Sequence, residues 1–162
     1  MSTSERPPLR AVPRPSLAEA ARPGASKRLA TCRRALVYDD DDGFAEECAE
    51  ALGRHGFAVE TRAGRTDFAA LVSEFAPHLV LLDLHMPQFD GIEALRALKE
   101  YGCKTDIDVI LVSAADHSLI ASAATLARAY DIRLRGVLRK PFRLSQLDLC
   151  IAAVADDKTA QI

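Results

Sequence analysis

The stretch Leu79-Val80-Leu81-Leu82-Asp83-Leu84-His85-Met86-Pro87-Gln88-Phe89-Asp90-Gly91 constrains this chain more than any other part of it. A continuous apolar run closed by turn residues suits a strand buried on both faces, as in parallel sheets. Asp83 then falls at the carboxyl end of that strand, where open α/β sheets place their ligands. A carboxylate in that position is costly unless a cation or hydrogen-bond donors meet it. A partner is therefore expected elsewhere in the chain.

The flanking sequence alternates short apolar runs with helical stripes. Ala35-Leu36-Val37-Tyr38 reads as a strand ending in Asp39-Asp40-Asp41-Asp42, and Phe44, Cys48, Ala51 and Leu52 form a helical stripe that Gly56 closes. Phe57 to Thr61 is a second strand. Thr66 is the expected cap of a helix through Phe75, with Phe68, Leu71, Val72 and Phe75 on one face and Pro77 as its stop. Beyond the central strand, Asp90 is expected to cap a helix from Ile92 to Tyr101, which Gly102 breaks. Asp108 to Ser113 is another buried strand, and Ser118 the expected cap of an Ala-rich helix from Leu119 to Tyr130. Gly136 to Arg139 is the last strand, and Ser145 the expected cap of a helix reaching Val154. Five β-α units with right-handed crossovers give a single doubly wound α/β domain, a parallel sheet covered by helices on both faces.

Length and charge narrow the function. A chain of 162 residues, 49% hydrophobic and 27% charged, has room for one domain with one core. Residues 1 to 34 carry eight basic side chains against Glu5 and Glu19, so +6, which leaves -8 for the rest of the -2 total. This first stretch, rich in Pro, Ser, Ala and Arg, reads as a flexible basic extension with a helical turn around Leu17 to Ala21. The domain is expected over residues 35 to 155, with a frayed tail from 156 to 162. A domain this acidic disfavours nucleic acid as a partner. No apolar stretch reaches the ~20 residues of a membrane span. Cys32, Cys48, Cys103 and Cys150 lie far apart without metal-ligand spacing and are expected as reduced thiols in a cytoplasmic protein.

The chemistry collects at one rim. A parallel sheet turns all its strand ends the same way, which brings together Asp39, Asp40, Asp83, Ser113 and Lys140. Crowded carboxylates raise one another's pKa unless a cation intervenes, and one ammonium does not balance three of them. A hard divalent ion, Mg²⁺ above all, prefers such oxygen ligands. With the ion on Asp40 and Asp83, Lys140 and Ser113 are left to receive an oxyanion. That set suits phosphoryl transfer onto Asp83, since a carboxylate is an accepted nucleophile for phosphoryl groups. Pro141 restricts Lys140 to extended geometry, which aims the ammonium across the rim.

The blocks Leu36-Val37-Tyr38-Asp39-Asp40, Leu82-Asp83-Leu84-His85-Met86-Pro87-Gln88-Phe89-Asp90-Gly91, Val112-Ser113-Ala114 and Lys140-Pro141-Phe142 resemble the receiver domains of two-component response regulators, over about Ala35 to Val154. The resemblance implies a CheY-like, flavodoxin-like fold, a five-stranded parallel sheet of order 2-1-3-4-5. It implies that Asp83 is phosphorylated by a histidine kinase or histidine phosphotransfer protein. It implies Mg²⁺ (or Mn²⁺) on Asp40, Asp83 and the backbone carbonyl of His85, with Asp39 acting through water. Ser113, Ala114 and Lys140 then hold the phosphoryl group. Ser113 and position 137 are the switch positions; receivers often carry an aromatic residue at the latter, and here it is Val137. The segment from Leu126 to Phe142 looks like that of receivers attached to EAL-type phosphodiesterases.

The resulting expectation is a phosphorylation switch without an output domain. It would act through a homodimer or a protein effector on the face of the fourth helix, fifth strand and fifth helix. Beyond self-phosphorylation and slow self-dephosphorylation, no enzyme activity is expected. Two readings compete. A degenerate receiver would serve as a phosphorylation-independent adaptor, for which Val137 leaves room. A phosphatase of the haloacid dehalogenase type uses a second Asp two residues after the nucleophile, where this chain has His85.

Overall fold

The computed structural model describes residues 33–62, 67–87, 89–102, 106–114 and 117–159. The basic extension up to residue 32, the cap expected at Thr66, Cys32, Cys103 and the last three residues lie outside the described residues.

The order of elements is β1 (Arg33–Tyr38), α1 (Asp42–Arg54), β2 (Phe57–Arg62), α2 (Phe68–Phe75), β3 (Leu79–Asp83), β4 (His85–Met86), β5 (Phe89–Asp90), α3 (Gly91–Gly102), β6 (Asp108–Ser113), α4 (His117–Ala129), β7 (Arg133–Arg139) and α5 (Leu144–Thr159). Five strands form one parallel sheet of order β2-β1-β3-β6-β7. Setting aside the two-residue antiparallel ladder β4-β5, which the sequence reading did not foresee, this is the expected order 2-1-3-4-5.

Alternation along each strand divides the core between the two faces. Leu36, Tyr38, Val80, Leu82, Val109 and Leu111 point to one face, packed with Leu71, Val72, Leu95, Leu98, Ala123 and Ala127 from α2, α3 and α4. Ala35, Val37, Leu79, Leu81, Ile110 and Val112 point to the other, against Cys48, Leu52, Leu147 and Ile151 from α1 and α5. β3 and β6 are buried along their whole length, so their sequences show no polar alternation. Cys48 and Cys150 are free thiols, and burial pushes Cys48 up to about 12, an inert packing residue.

Several boundaries differ from the sequence reading. β1 begins at Arg33 and pairs from the Arg33–Phe57 position onward, two residues before the expected start. α2 is capped by Asp67, whose Oδ1 accepts the Ala70 N–H at 3.1 Å, not by Thr66 one position earlier. α4 starts at His117, which places Ser118 inside its first turn. β7 is three residues longer than expected and shifts register between Val109 and Ile110 of its neighbour. The Arg135 guanidinium in this stretch donates to the buried Asp108 at 2.7 Å. α5 begins before Ser145: the Gln146 side chain reaches back to accept the Arg143 N–H at 3.0 Å, one half of a capping box. Asp90 does cap α3, accepting the Ile92 N–H at 2.8 Å.

Two glycines sit at close approaches, one against main chain and one against a side chain. A Cβ on Gly91 would lie 2.8 Å from the Leu84 Cα, so the start of α3 can press on the loop after β3 only with glycine there. A Cβ on Gly136 would run into the Cys150 sulfur, the end of a side chain on α5, where that helix packs on β7.

Candidate functional site

The strand ends place the site. Asp39 directly follows β1, Asp83 ends β3, Ser113 ends β6 and Lys140 directly follows β7. β1 and β3 are neighbours, so the carboxylates of Asp39 and Asp83 come close from adjacent strands. Asp39, Asp83 and Ser113 are buried, Asp40 is exposed and Lys140 is half-buried. The structure thus brings all five sequence-predicted rim residues to one edge of the sheet.

The partner that Asp83 required is Lys140. Its Nζ donates to Asp83 Oδ2 at 2.9 Å and to Asp39 Oδ2 at 2.6 Å. The other oxygens are held by main-chain donors: Asp83 Oδ1 accepts the His85 N–H at 2.8 Å, and Asp39 Oδ1 accepts the Asp41 N–H at 3.0 Å. The Lys140 N–H donates to the Ser113 carbonyl at 2.9 Å, which fixes the lysine beside the end of β6. The Lys140–Pro141 peptide is cis. Ala114 is exposed beside Lys140, and Val137 is 38% exposed on β7. The His85 side chain is exposed.

Burial and pairing compete in the titration of this cluster. Burial pushes the Lys140 ammonium down, but the carboxylates of Asp39 and Asp83 outweigh it and hold it above its ordinary value. Burial pushes the Asp39 carboxyl up, and the hydrogen bonds from Lys140 and the Asp41 amide offset only part of that. Asp39 therefore carries its charge at a cost.

The donor set fits a hard cation. Asp39, Asp40 and Asp83 each offer an oxygen, and these oxygens lie within 4.8 Å of one another. An all-oxygen set with an exposed member is the kind Mg²⁺ takes, with water completing its shell.

Sequence reasoning missed three features here. Asp41, read only as part of an acidic run, is the N-cap of α1 and accepts the Phe44 N–H at 3.0 Å. Phe44, read only as a member of a helical stripe, has its ring 4.2 Å from Lys140 Nζ. His117 meets Arg139 at 3.1 Å across α4 and β7. The S/T/D/N-x-x pattern before Phe44 could have revealed the cap; the other two contacts link residues distant in sequence and leave no local signal.

A doubly wound parallel sheet with an acidic crevice at the carboxyl ends, and a lysine reaching into it, defines a narrow class of domain. The profile of the response regulator receiver domain matches residues 35–152, and the chain belongs to that family. It is 31% identical over 114 residues to the response regulator MprA of Mycobacterium sp. (strain KMS), a match covering 70% of this chain and 46% of MprA, so it spans about half of that relative's length. Among solved structures, the signal receiver domain of a response regulator from Bermanella marisrubri superposes with a TM-score of 0.65 at 29% identity, covering 75% of this chain and 97% of that one. A response regulator from Burkholderia pseudomallei with a phosphorylated aspartic acid, calcium ion and citrate shares the fold with a TM-score of 0.60 at 21% identity, covering 80% of this chain and 72% of that one. No helix among the described residues is long and apolar enough to cross a membrane.

Proposed function

We propose that Asp83 is the phosphoacceptor of this receiver and that a histidine kinase or histidine phosphotransfer protein is its donor. The observation that carries this reading is the pairing of the buried Asp83 with Lys140 at 2.9 Å, in a crevice that also gathers Asp39 and Asp40. In the transfer, an Asp83 oxygen forms a bond to phosphorus as the donor's P–N bond breaks, and the leaving imidazole keeps the electron pair and takes up a proton. Lys140, the Ser113 hydroxyl and the backbone at Ala114 receive the phosphoryl oxygens. Asp40, Asp83, the His85 carbonyl and, through water, Asp39 would hold Mg²⁺ (or Mn²⁺), which would supply neutralising charge for those oxygens. The phosphorylated aspartic acid in the Burkholderia pseudomallei relative supports the same role here.

The phosphorylated form is read by protein partners, an effector or a second copy of the chain, through the face of α4, β7 and α5. Val137 of β7 and Leu149 of α5 are exposed apolar side chains on two of these elements. This describes a cytoplasmic signalling domain over residues 35 to 155 that follows a basic extension and has no turnover of its own beyond gaining and losing the phosphoryl group. The test is intact-mass spectrometry after incubation with acetyl phosphate and Mg²⁺. Wild type gains one phosphate; Asp83→Asn, and wild type without the metal, gain none. A second reading, the phosphorylation-independent adaptor, draws on Val137 at the aromatic switch position. It is favoured if folded wild type stays unmodified with both acetyl phosphate and a cognate kinase.

A further inference from the structure

The Lys140 ammonium has a third neighbour besides its two carboxylates. Phe44, in the first turn of α1, lays its ring face 4.2 Å from Nζ, inside the range of an ammonium–aromatic attraction. The ring is held in place from both ends. The Phe44 backbone N–H donates to Asp41 Oδ1 at 3.0 Å, and the Asp41 backbone N–H donates in turn to Asp39 Oδ1 at 3.0 Å. Asp39 then closes the circuit by accepting from Lys140 at 2.6 Å. On the far side Phe142, two residues beyond Lys140, meets Phe44 edge-on with centroids 5.4 Å apart and an interplanar angle of 88°. The two rings line an open cleft of about 420 Å³ with Asp41, Glu47, Ala114 and Leu144.

Phosphoryl transfer asks Lys140 to exchange partners. Two of its three N–H donors start on Asp39 and Asp83. When an Asp83 oxygen becomes bonded to phosphorus, at least one donor must turn to a phosphoryl oxygen while the ammonium stays over the crevice. A fourth carboxylate would hold the ammonium but add negative charge where charge is developing. An aliphatic residue would fill the space without attraction. A ring face attracts the cation without a fixed donor direction, so the ammonium can turn while it is held.

We propose that Phe44 is a positioning residue for Lys140: its ring keeps the ammonium over the crevice during the exchange of oxygens, and phosphorylation of Asp83 is fast only with an aromatic ring at position 44. The inference rests on Asp83 being the phosphoacceptor. Its test compares wild type with Phe44→Leu, Phe44→Met, Phe44→Trp and Asp83→Asn, each checked for folding by urea unfolding. Two readouts are taken: the rate of phosphate gain from acetyl phosphate with Mg²⁺, and the NMR shifts of the Lys140 ε-methylene. Phe44→Leu and Phe44→Met are expected to slow phosphate gain about three- to ten-fold and to move the ε-proton shifts downfield as the ring current is lost, while Phe44→Trp, the strongest cation-binding ring, keeps the wild-type rate or exceeds it. Wild-type rates in folded Phe44→Leu or Phe44→Met overturn the inference, as does a Phe44→Trp protein as slow as those two. If wild type itself gains no phosphate from either acetyl phosphate or a cognate kinase, the phosphoacceptor reading has failed, and unmoved Lys140 shifts in Phe44→Leu then dispose of the ring contact separately.

Discussion

Replacing Lys140 by Met tests the electrostatic account of the crevice most directly. Lys140 is 18% exposed and joins two carboxylates that are 3% and 4% exposed, with contacts of 2.6 and 2.9 Å. Water therefore screens the group poorly, and removing the cation leaves two desolvated acids facing each other. Deleting one partner of a buried ion pair costs about 3–5 kcal/mol; the exposed Asp40 beside this pair lets water in, so about 3 kcal/mol is expected at pH 7.5. The pH dependence has a definite sign. The lysine's folded value is raised, so its contribution is complete below its ordinary value of 10.5 and is lost as pH rises through the raised one. Asp39 is also raised, so its ionisation costs stability: the fold is relieved of that cost below 3.8 and bears it fully once pH has passed the raised value. The gap between wild type and Lys140→Met should therefore be widest near neutral pH. It should narrow in base, as pH rises past 10.5 toward the ammonium's raised value, and narrow in acid as Asp39 takes up a proton. Urea unfolding followed by far-UV circular dichroism at pH 4.5, 7.5 and 11, without divalent ions, measures it. A Lys140→Met protein as stable as wild type at pH 7.5, or a gap that does not change with pH, would refute the reasoning.

Two further outcomes follow from the same structure. Gly136→Ala drives a Cβ into the Cys150 sulfur and is expected to cost about 1–3 kcal/mol as an overpacking change. Adding Cys150→Ala should restore most of that in urea unfolding, because the atom in the way is then gone. Mg²⁺ at a hundred times its dissociation constant should stabilise wild type by about 2.7 kcal/mol, read as a rise in thermal midpoint. The rise should shrink in Asp40→Asn, and equal gains in both proteins would show that Asp40 is not a ligand.

How much of this was legible in the sequence depends on where each element's information lies. β3 and β6 were readable because both faces are buried, which leaves an unbroken apolar run closed by a polar residue. The rim residues were readable for the same reason: Asp83 and Ser113 are the polar residues that end those runs. β7 was readable only from Gly136 onward, since Arg133-Leu134-Arg135 alternates like an edge strand and its register shift is set by pairing with β6. The start of α2 was misplaced by one residue because Thr66 and Asp67 are both competent caps, and that of α5 by two because the helix begins with a Gln146 side chain reaching backward where Ser145 offered the usual signal. The contact of Phe44 with Lys140 joins residues 96 apart. Periodicity reports which face of a helix is apolar, and it carries no sign of a charge that another strand delivers to that face.

The topology also explains why the cation is a lysine. In the order β2-β1-β3-β6-β7, Lys140 follows a strand two places from β3 and three from β1. At roughly 4.8 Å per strand, its main chain stands about 10 Å from the strand of Asp83 and about 14 Å from that of Asp39. Only a long side chain spans that gap, and it must serve two carboxylates at its tip. Arginine is long enough, but its planar fork favours a paired bond to one carboxylate and holds it there. A compact ammonium with three rotatable donors bridges Asp39 and Asp83 and turns from one to the other without changing its place. The ring of Phe44 suits that same property, since it restrains where the ammonium sits and leaves free which oxygens it faces. Distance across the sheet thus selects the length of the residue, and the need to exchange partners selects its charge geometry.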